Sequence, residues 1–117
     1  YMGAFRQSLA LLRAGRRLLI FPEAAQGPLD PETQMRPFLV GFLLLCSLYE
    51  ELMGNPLPVY PMAVSPQRRT VTIGEPAFLQ HRGRRRDDIH RLGGELETRV
   101  RRLYRDSVGP GALTEYE

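Results

Sequence analysis

The sequence predicts an α/β protein: a partial sandwich with helices packed on a mainly parallel sheet, in the order α-β-α-β-β-α. Three observations carry this reading. Stretches with apolar residues three and four apart open and close the chain, the period of an amphipathic helix. Short apolar runs bounded by Gly and Pro lie between them, as strands do. The two kinds of element alternate, which is the pattern of helices laid on a sheet.

Residues Met2 to Ala14 place Phe5, Leu9 and Leu12 on one helical face. Gly15 follows where a helix commonly ends in the left-handed conformation. Leu18-Leu19-Ile20-Phe21 then reads as a short buried strand. Pro22 closes it, because proline has no N–H for a ladder. Glu23 to Arg36 holds Gly27, Pro28 and Pro31 and reads as a long loop, of the kind that often carries function. Pro37 suits the first position of a helix that runs to about Met53. Gly54-Asn55-Pro56 ends it.

Leu57 to Val64 reads as a second strand, irregular or at an edge because Pro58 and Pro61 interrupt it. Ser65 to Arg68 is a turn. Arg69 to Gly74 alternates, with Val71 and Ile73 on one side and Thr70 and Thr72 on the other. Arg84 to Arg105 is a long helix with Ile89, Leu92, Leu96, Val100 and Leu103 on one face. Gly93-Gly94 in its middle costs roughly 1 kcal/mol per glycine against alanine. Residues 1–108 form one domain on this reading, and 109–117 a flexible tail.

A chain of 117 residues with 43% hydrophobic and 25% charged residues falls in the soluble globular class, with room for one core. All sixteen basic side chains are Arg. Codon bias accounts for that more simply than selection for phosphate binding. The first 66 residues are charge-balanced; the +3 excess lies in residues 67–117. That is too small to imply nucleic acid, and it is compatible with peripheral contact at an anionic membrane surface. The Arg82-Gly83-Arg84-Arg85-Arg86 run, followed by Asp87 and Asp88, reads as a solvated helix start with its acids placed for the dipole. The expected location is the cytoplasm, at the inner face of the membrane.

Cys46, the single cysteine, cannot form an internal disulfide. Inside an apolar run it reads as an inert core thiol. The run from Phe38 to Tyr49 is short of the roughly twenty apolar residues a membrane span needs. No secretory leader is read at the start. Helical sequence is already running at Tyr1, without an initiating methionine, so the chain reads as part of a longer protein. An incomplete sheet would leave an unpaired edge and apolar surface, so dimerisation is expected.

The phrase Leu12-Arg13-Ala14-Gly15-Arg16-Arg17-Leu18-Leu19-Ile20-Phe21-Pro22-Glu23 resembles the third conserved block of the glycerophospholipid acyltransferases, the lysophosphatidate and glycerol-3-phosphate acyltransferase family. Arg36-Pro37-Phe38 with Gly41 looks like the family's next helix start. Leu57-Pro58-Val59-Tyr60-Pro61-Met62-Ala63-Val64 looks like its fourth block. Val71-Thr72-Ile73-Gly74-Glu75-Pro76 resembles the strand and turn that follow. The likeness covers roughly Leu9 to Pro76 and implies the C-terminal part of such a domain.

The resemblance implies a substrate pocket built from Phe21, Pro22, Glu23, Ala24, Arg36, Gly41 and Pro61. It implies acyl transfer from acyl-CoA or acyl carrier protein to a glycerolipid-like acceptor, with no metal. The departures matter. Where the family has Glu-Gly-Thr-Arg, this chain reads Glu23-Ala24-Ala25-Gln26. Ala24 disfavours a positive φ, and Gln26 cannot pair with phosphate as a cation does. The family's catalytic His-x4-Asp precedes the Phe-Pro-Glu block, and no histidine precedes Phe21 here. This chain alone is therefore expected to be inactive, with no catalytic residue of its own.

From the residues themselves, Glu23 at a strand end lies where α/β sheets bind ligands; otherwise it is a solvated carboxylate. Arg36, at a helix start, is placed to supply a cation the loop lacks. Arg16 and Arg17 lie at the opposite strand end and read as solvated. His81 and His90 follow the pocket blocks; His90 and Glu95 would stand about 140° apart on a helix, so both histidines read as surface residues. The rival reading is a non-catalytic lipid- or partner-binding domain that kept the fold and lost the chemistry. A nucleic-acid adaptor built on residues 82–105 ranks third.

Overall fold

The computed structural model describes residues 2–31 and 35–108. Its first element, α1 (Met2–Arg13), ends as its sequence requires. Gly15 takes φ 80°, and the N–H groups of Gly15 and Arg16 bond back to Leu12 and Leu11 (3.1 and 2.9 Å). These two bonds close a Schellman turn, which needs a left-handed residue at its centre.

The apolar run Phe38 to Tyr49 does not form one helix. A 3-10 turn at Gly41–Leu43 leads into α2 (Leu44–Met53), which Gly54 stops at φ 75°. The helix predicted from Pro37 does not start there, because Pro37 to Leu39 lie in an antiparallel bridge with Pro22 to Ala24. Phe38 N–H donates to Glu97 and Leu39 N–H to the Pro22 carbonyl. Pro37 to Leu39 therefore stand outside the helix, and the backbone first turns helical at Val40, with φ −100° and ψ −2°.

The predicted mainly parallel sheet is absent. The described residues contain one two-stranded antiparallel sheet, β1 (Met62–Ser65) with β2 (Thr70–Ile73). Only Pro66 to Arg69 separates the strands, and a parallel partner needs a crossover of a dozen or more residues. Arg69 absorbs the reversal with φ 52°. The strand predicted from Leu57 begins late: Val59 makes only an isolated antiparallel bridge to Ala77. Leu18–Phe21 joins no strand among the described residues, so the sandwich expected from it is not formed.

The last element, α3 (Arg85–Val108), matches its prediction closely. It buries Ile89, Leu92 and Leu96 against Leu43, Cys46, Ala77 and Leu79, and Val40, Leu57 and Val59 pack around them. The hairpin β1–β2 lies on α3, while α1 packs on α2. The hairpin keeps the period-two pattern but turns it outward. Ala63 and Ser65 are buried, whereas Val64, Val71 and Ile73 are exposed.

The two mid-helix glycines have opposite environments. A methyl group on Gly93 would overlap Val40 Cγ1 and lie 3.0 Å from its Cβ, so α3 and the segment before Gly41 touch there. Around Gly94 there is nothing within 4 Å. Gly93→Ala should therefore destabilise by about 1–3 kcal/mol through overpacking. Gly94→Ala should stabilise by up to about 1 kcal/mol through helix propensity. Urea unfolding of the two variants beside the parent checks both signs.

Candidate functional site

The residues singled out around Glu23 are drawn together by a two-rung antiparallel contact. Glu23 bridges Phe38, with Ala24 N–H donating to the Pro37 carbonyl (2.9 Å) and Leu39 N–H to the Pro22 carbonyl (2.8 Å). The Glu23 carboxylate turns back onto the loop, where its Oε2 accepts the Arg36 N–H at 3.2 Å. Pro22, Glu23, Ala24 and Arg36 thus meet at the neck of a loop spanning 24–35.

The loop itself is pinned. Asp30 N–H donates to the carbonyl of buried Met35 (2.8 Å). Gly27 reaches φ 124° and passes beside the Pro37 ring. Helix α3 holds the neck from one side. Glu97 Oε1 accepts the Phe38 N–H at 2.7 Å, and Arg101 pairs with Asp30 and lies 3.8 Å from Glu97. Gly93, Glu97 and Arg101 are four residues apart, so they form one stripe along the helix. That stripe meets Val40, Phe38 and Asp30 in turn.

Glu97 and Arg101 were outside the sequence reading of the site. The signal available was their spacing, an acid four residues before a base, which stabilises a helix surface whether or not anything docks there. It does not identify a loop partner.

The other predicted residues divide. Phe21 stands exposed beside the neck. Arg36 is half-buried, and its Nε is buried without a hydrogen-bond partner, an atom ready for an acceptor oxygen. Gly41 is exposed with open space where a side chain would go, so no close approach calls for glycine there. Pro61 is buried at the far end of the hairpin, where its carbonyl accepts the Gly74 N–H (2.9 Å). It serves the entry to β1 and not the neck.

Glu23 is exposed, and it does not line the cleft found among the described residues. That cleft, of about 350 Å³, lies elsewhere, between α2 and the start of α3, lined by Ser47, Glu50, His81, Gly83, Arg85 and Asp88. His81 Nε2 lies 2.7 Å from Glu50, and Arg85 reaches Glu51 and the Ser47 hydroxyl, both at 3.4 Å. The pairing of His81 with Glu50 agrees with a surface role.

Asp88 lines the cleft and ties the loop before α3 to the first turn of the helix. Its carboxylate accepts the Arg82 N–H (3.2 Å) and the Arg91 guanidinium (2.9 Å). Burial pushes its pKa up, but the Arg91 bond, the Arg82 and Gly83 N–H groups and the charge on Arg91 outweigh that and hold it below the ordinary value. Cys46 behaves oppositely. Burial pushes its thiol up to about 11, a backbone hydrogen bond partly offsets this, and the Glu50 charge adds to it.

None of the described helices is long and apolar enough to cross a membrane. The Arg-rich start of α3 is solvated, with Asp87 and Asp88 in its first turn.

Asp88 titrates lower in the folded state than in the unfolded one, so its stabilisation is present above the ordinary carboxyl pKa and lost as pH falls through the folded value. Asp88→Asn should unfold at lower urea than the parent at pH 7, and the gap should close in strong acid. Cys46 should resist a thiol reagent at pH 7 in the native protein and react at once in denaturant.

Comparison with models of protein families, with curated proteins and with solved structures finds no match for this chain.

Proposed function

We propose that this chain is the acceptor-side part of an acyltransferase domain, acting with residues outside it that supply the general base. The parent protein would move an acyl group from acyl-CoA or acyl carrier protein to a hydroxyl or amine of a glycerolipid-like acceptor. The observation that carries the reading is the Glu23–Phe38 bridge with the Glu23–Arg36 bond. It joins the segment that resembles the family's third block, Leu12–Glu23, to the one that resembles its next helix start, Arg36–Gly41. Thirteen positions separate Glu23 from Arg36, and the contact brings these two candidate pocket residues together.

In this reading the roles are simple. Glu23 holds the neck in shape by fixing the Arg36 backbone. The Arg36 side chain, with its buried Nε lacking an acceptor, faces the anionic part of the acceptor in place of the cation missing from Ala24-Ala25-Gln26. The acyl transfer itself needs a base within hydrogen-bond reach of the acceptor hydroxyl; with the Glu23 carboxylate engaged by the Arg36 N–H, this reading takes that base from residues outside the chain. Peripheral contact with an anionic membrane would bring the lipid acceptor to the site.

One observation favours the rival reading, a partner-binding domain that has lost the chemistry. The carboxylate at the neck faces solvent, and the apolar side chains of Leu19, Phe21 and Leu39 beside it are bare. A pocket would cover such surface with substrate; an interface would cover it with protein.

The test is an acyl-transfer assay on the full-length gene product with Glu23→Gln and Arg36→Gln beside it. Transfer by the parent, with each variant losing about tenfold or more in kcat/KM for an anionic acceptor, is the expected result, given about 1.5–3 kcal/mol for a hydrogen bond to a charged group. Absence of transfer to lysophosphatidate, glycerol 3-phosphate and neutral acceptors alike leaves the partner-binding reading.

A further inference from the structure

We propose that the segment Arg17–Glu23 is a self-pairing β-edge, which joins two copies of this chain by antiparallel strand addition about a two-fold axis at Ile20. The argument begins with direction. The bridge to Phe38 uses the Pro22 carbonyl and the Ala24 N–H. The backbone groups of Glu23 therefore point the other way, and along an extended strand so do those of Phe21, Leu19 and Arg17. Among the described residues, no backbone–backbone hydrogen bond engages the N–H or C=O of any of these four.

Side-chain exposure along the segment alternates as it does in an extended strand. The odd-numbered side chains are the more open, with Leu19 at 65% and Phe21 at 79%, while Ile20 between them is at 38% and Leu18 and Pro22 are half-buried. That alternation is the period of a strand lying against the body of the protein on one face. An edge of this kind, apolar and without a bulge, is a template for another strand. Pro22, which has no N–H to give, falls on the inner edge and does not interrupt the outer one.

The sequence fits a second copy of itself. With Ile20 on the axis, Leu19 of one protomer faces Phe21 of its partner, and Arg17 faces Glu23. All four of these rungs per pair fall at hydrogen-bonded positions, where each rung exchanges two N–H···O bonds. Leu18 opposite Pro22 falls at a non-bonded position, where the missing N–H costs nothing. Both ends of the ribbon thus place a guanidinium against a carboxylate, and its centre places Leu against Phe, as stable cross-strand pairs do. A foreign strand would need this same spacing of acid and base by coincidence. The interface is isologous, as two-fold dimers require.

Charge exchange tests the register directly. The parent should sediment as a dimer, and Arg17→Glu and Glu23→Arg should each weaken it about tenfold or more, since each variant sets like charges opposite one another at both ends. The double variant R17E/E23R restores the pairs and should restore the dimer. Leu19→Pro removes an outer-edge N–H and should dissociate it, whereas Ile20→Pro removes an inner N–H and should not. All four positions of substitution are exposed, and circular dichroism checks that each variant folds. A parent that stays monomeric at roughly 100 μM, well above the micromolar range of weak complexes, overturns the proposal. So does a double variant no better than its single parents, or a Leu19→Pro protein that dimerises as the parent does.

Discussion

The contact on which the rest of the structure depends is the seating of the segment before Gly41 along one stripe of α3. Val40 occupies the space left by Gly93, one turn later Glu97 takes the Phe38 N–H, and one turn further Arg101 grips Asp30. The three partners belong to a single stretch of chain, so fixing them fixes the neck of the loop. Glycine in mid-helix is locally unfavourable. Here it is retained because any side chain would push the neck off the helix. The same seating places Leu43 at the centre of the core, fully buried beneath Leu92 and Leu96.

From this contact the functional geometry follows. Phe38 is held on one side by Glu97 and on the other bridges Glu23, so the Glu23–Arg36 neck is positioned by the helix at second hand. The neck then has two free resources. One is the Arg36 guanidinium, with a buried nitrogen wanting an acceptor. The other is the outward edge of Arg17–Glu23. The first would suit an anionic ligand and the second a strand.

The apolar outer face of the hairpin belongs to the same account. Val64, Val71 and Ile73 are bare, while small and polar residues face α3. An antiparallel sheet with one covered face normally puts its apolar side inward. The inversion here shows that pattern alone does not say which face meets a given helix. Ala63 and Ser65 let β1 approach α3 closely, and Gly74 does the same where Leu103 and Pro61 converge.

Much of the secondary structure was legible because its causes are local. The glycine stops at Gly15 and Gly54, the period of α1 and α3, and the inertness of Cys46 all arise from neighbours in sequence and hold in the structure. The sheet was misread because strand identity depends on partners. Leu18–Phe21 has the composition of a buried strand, but among the described residues no strand pairs with it. The short Pro66–Arg69 connection did carry the antiparallel sense of the hairpin, through its length. Of the candidate site, Glu23 and Arg36 could be named from sequence, while their contact and the roles of Glu97 and Arg101 could not. Those depend on where a helix some sixty residues later comes to lie, a matter of packing and not of any local preference.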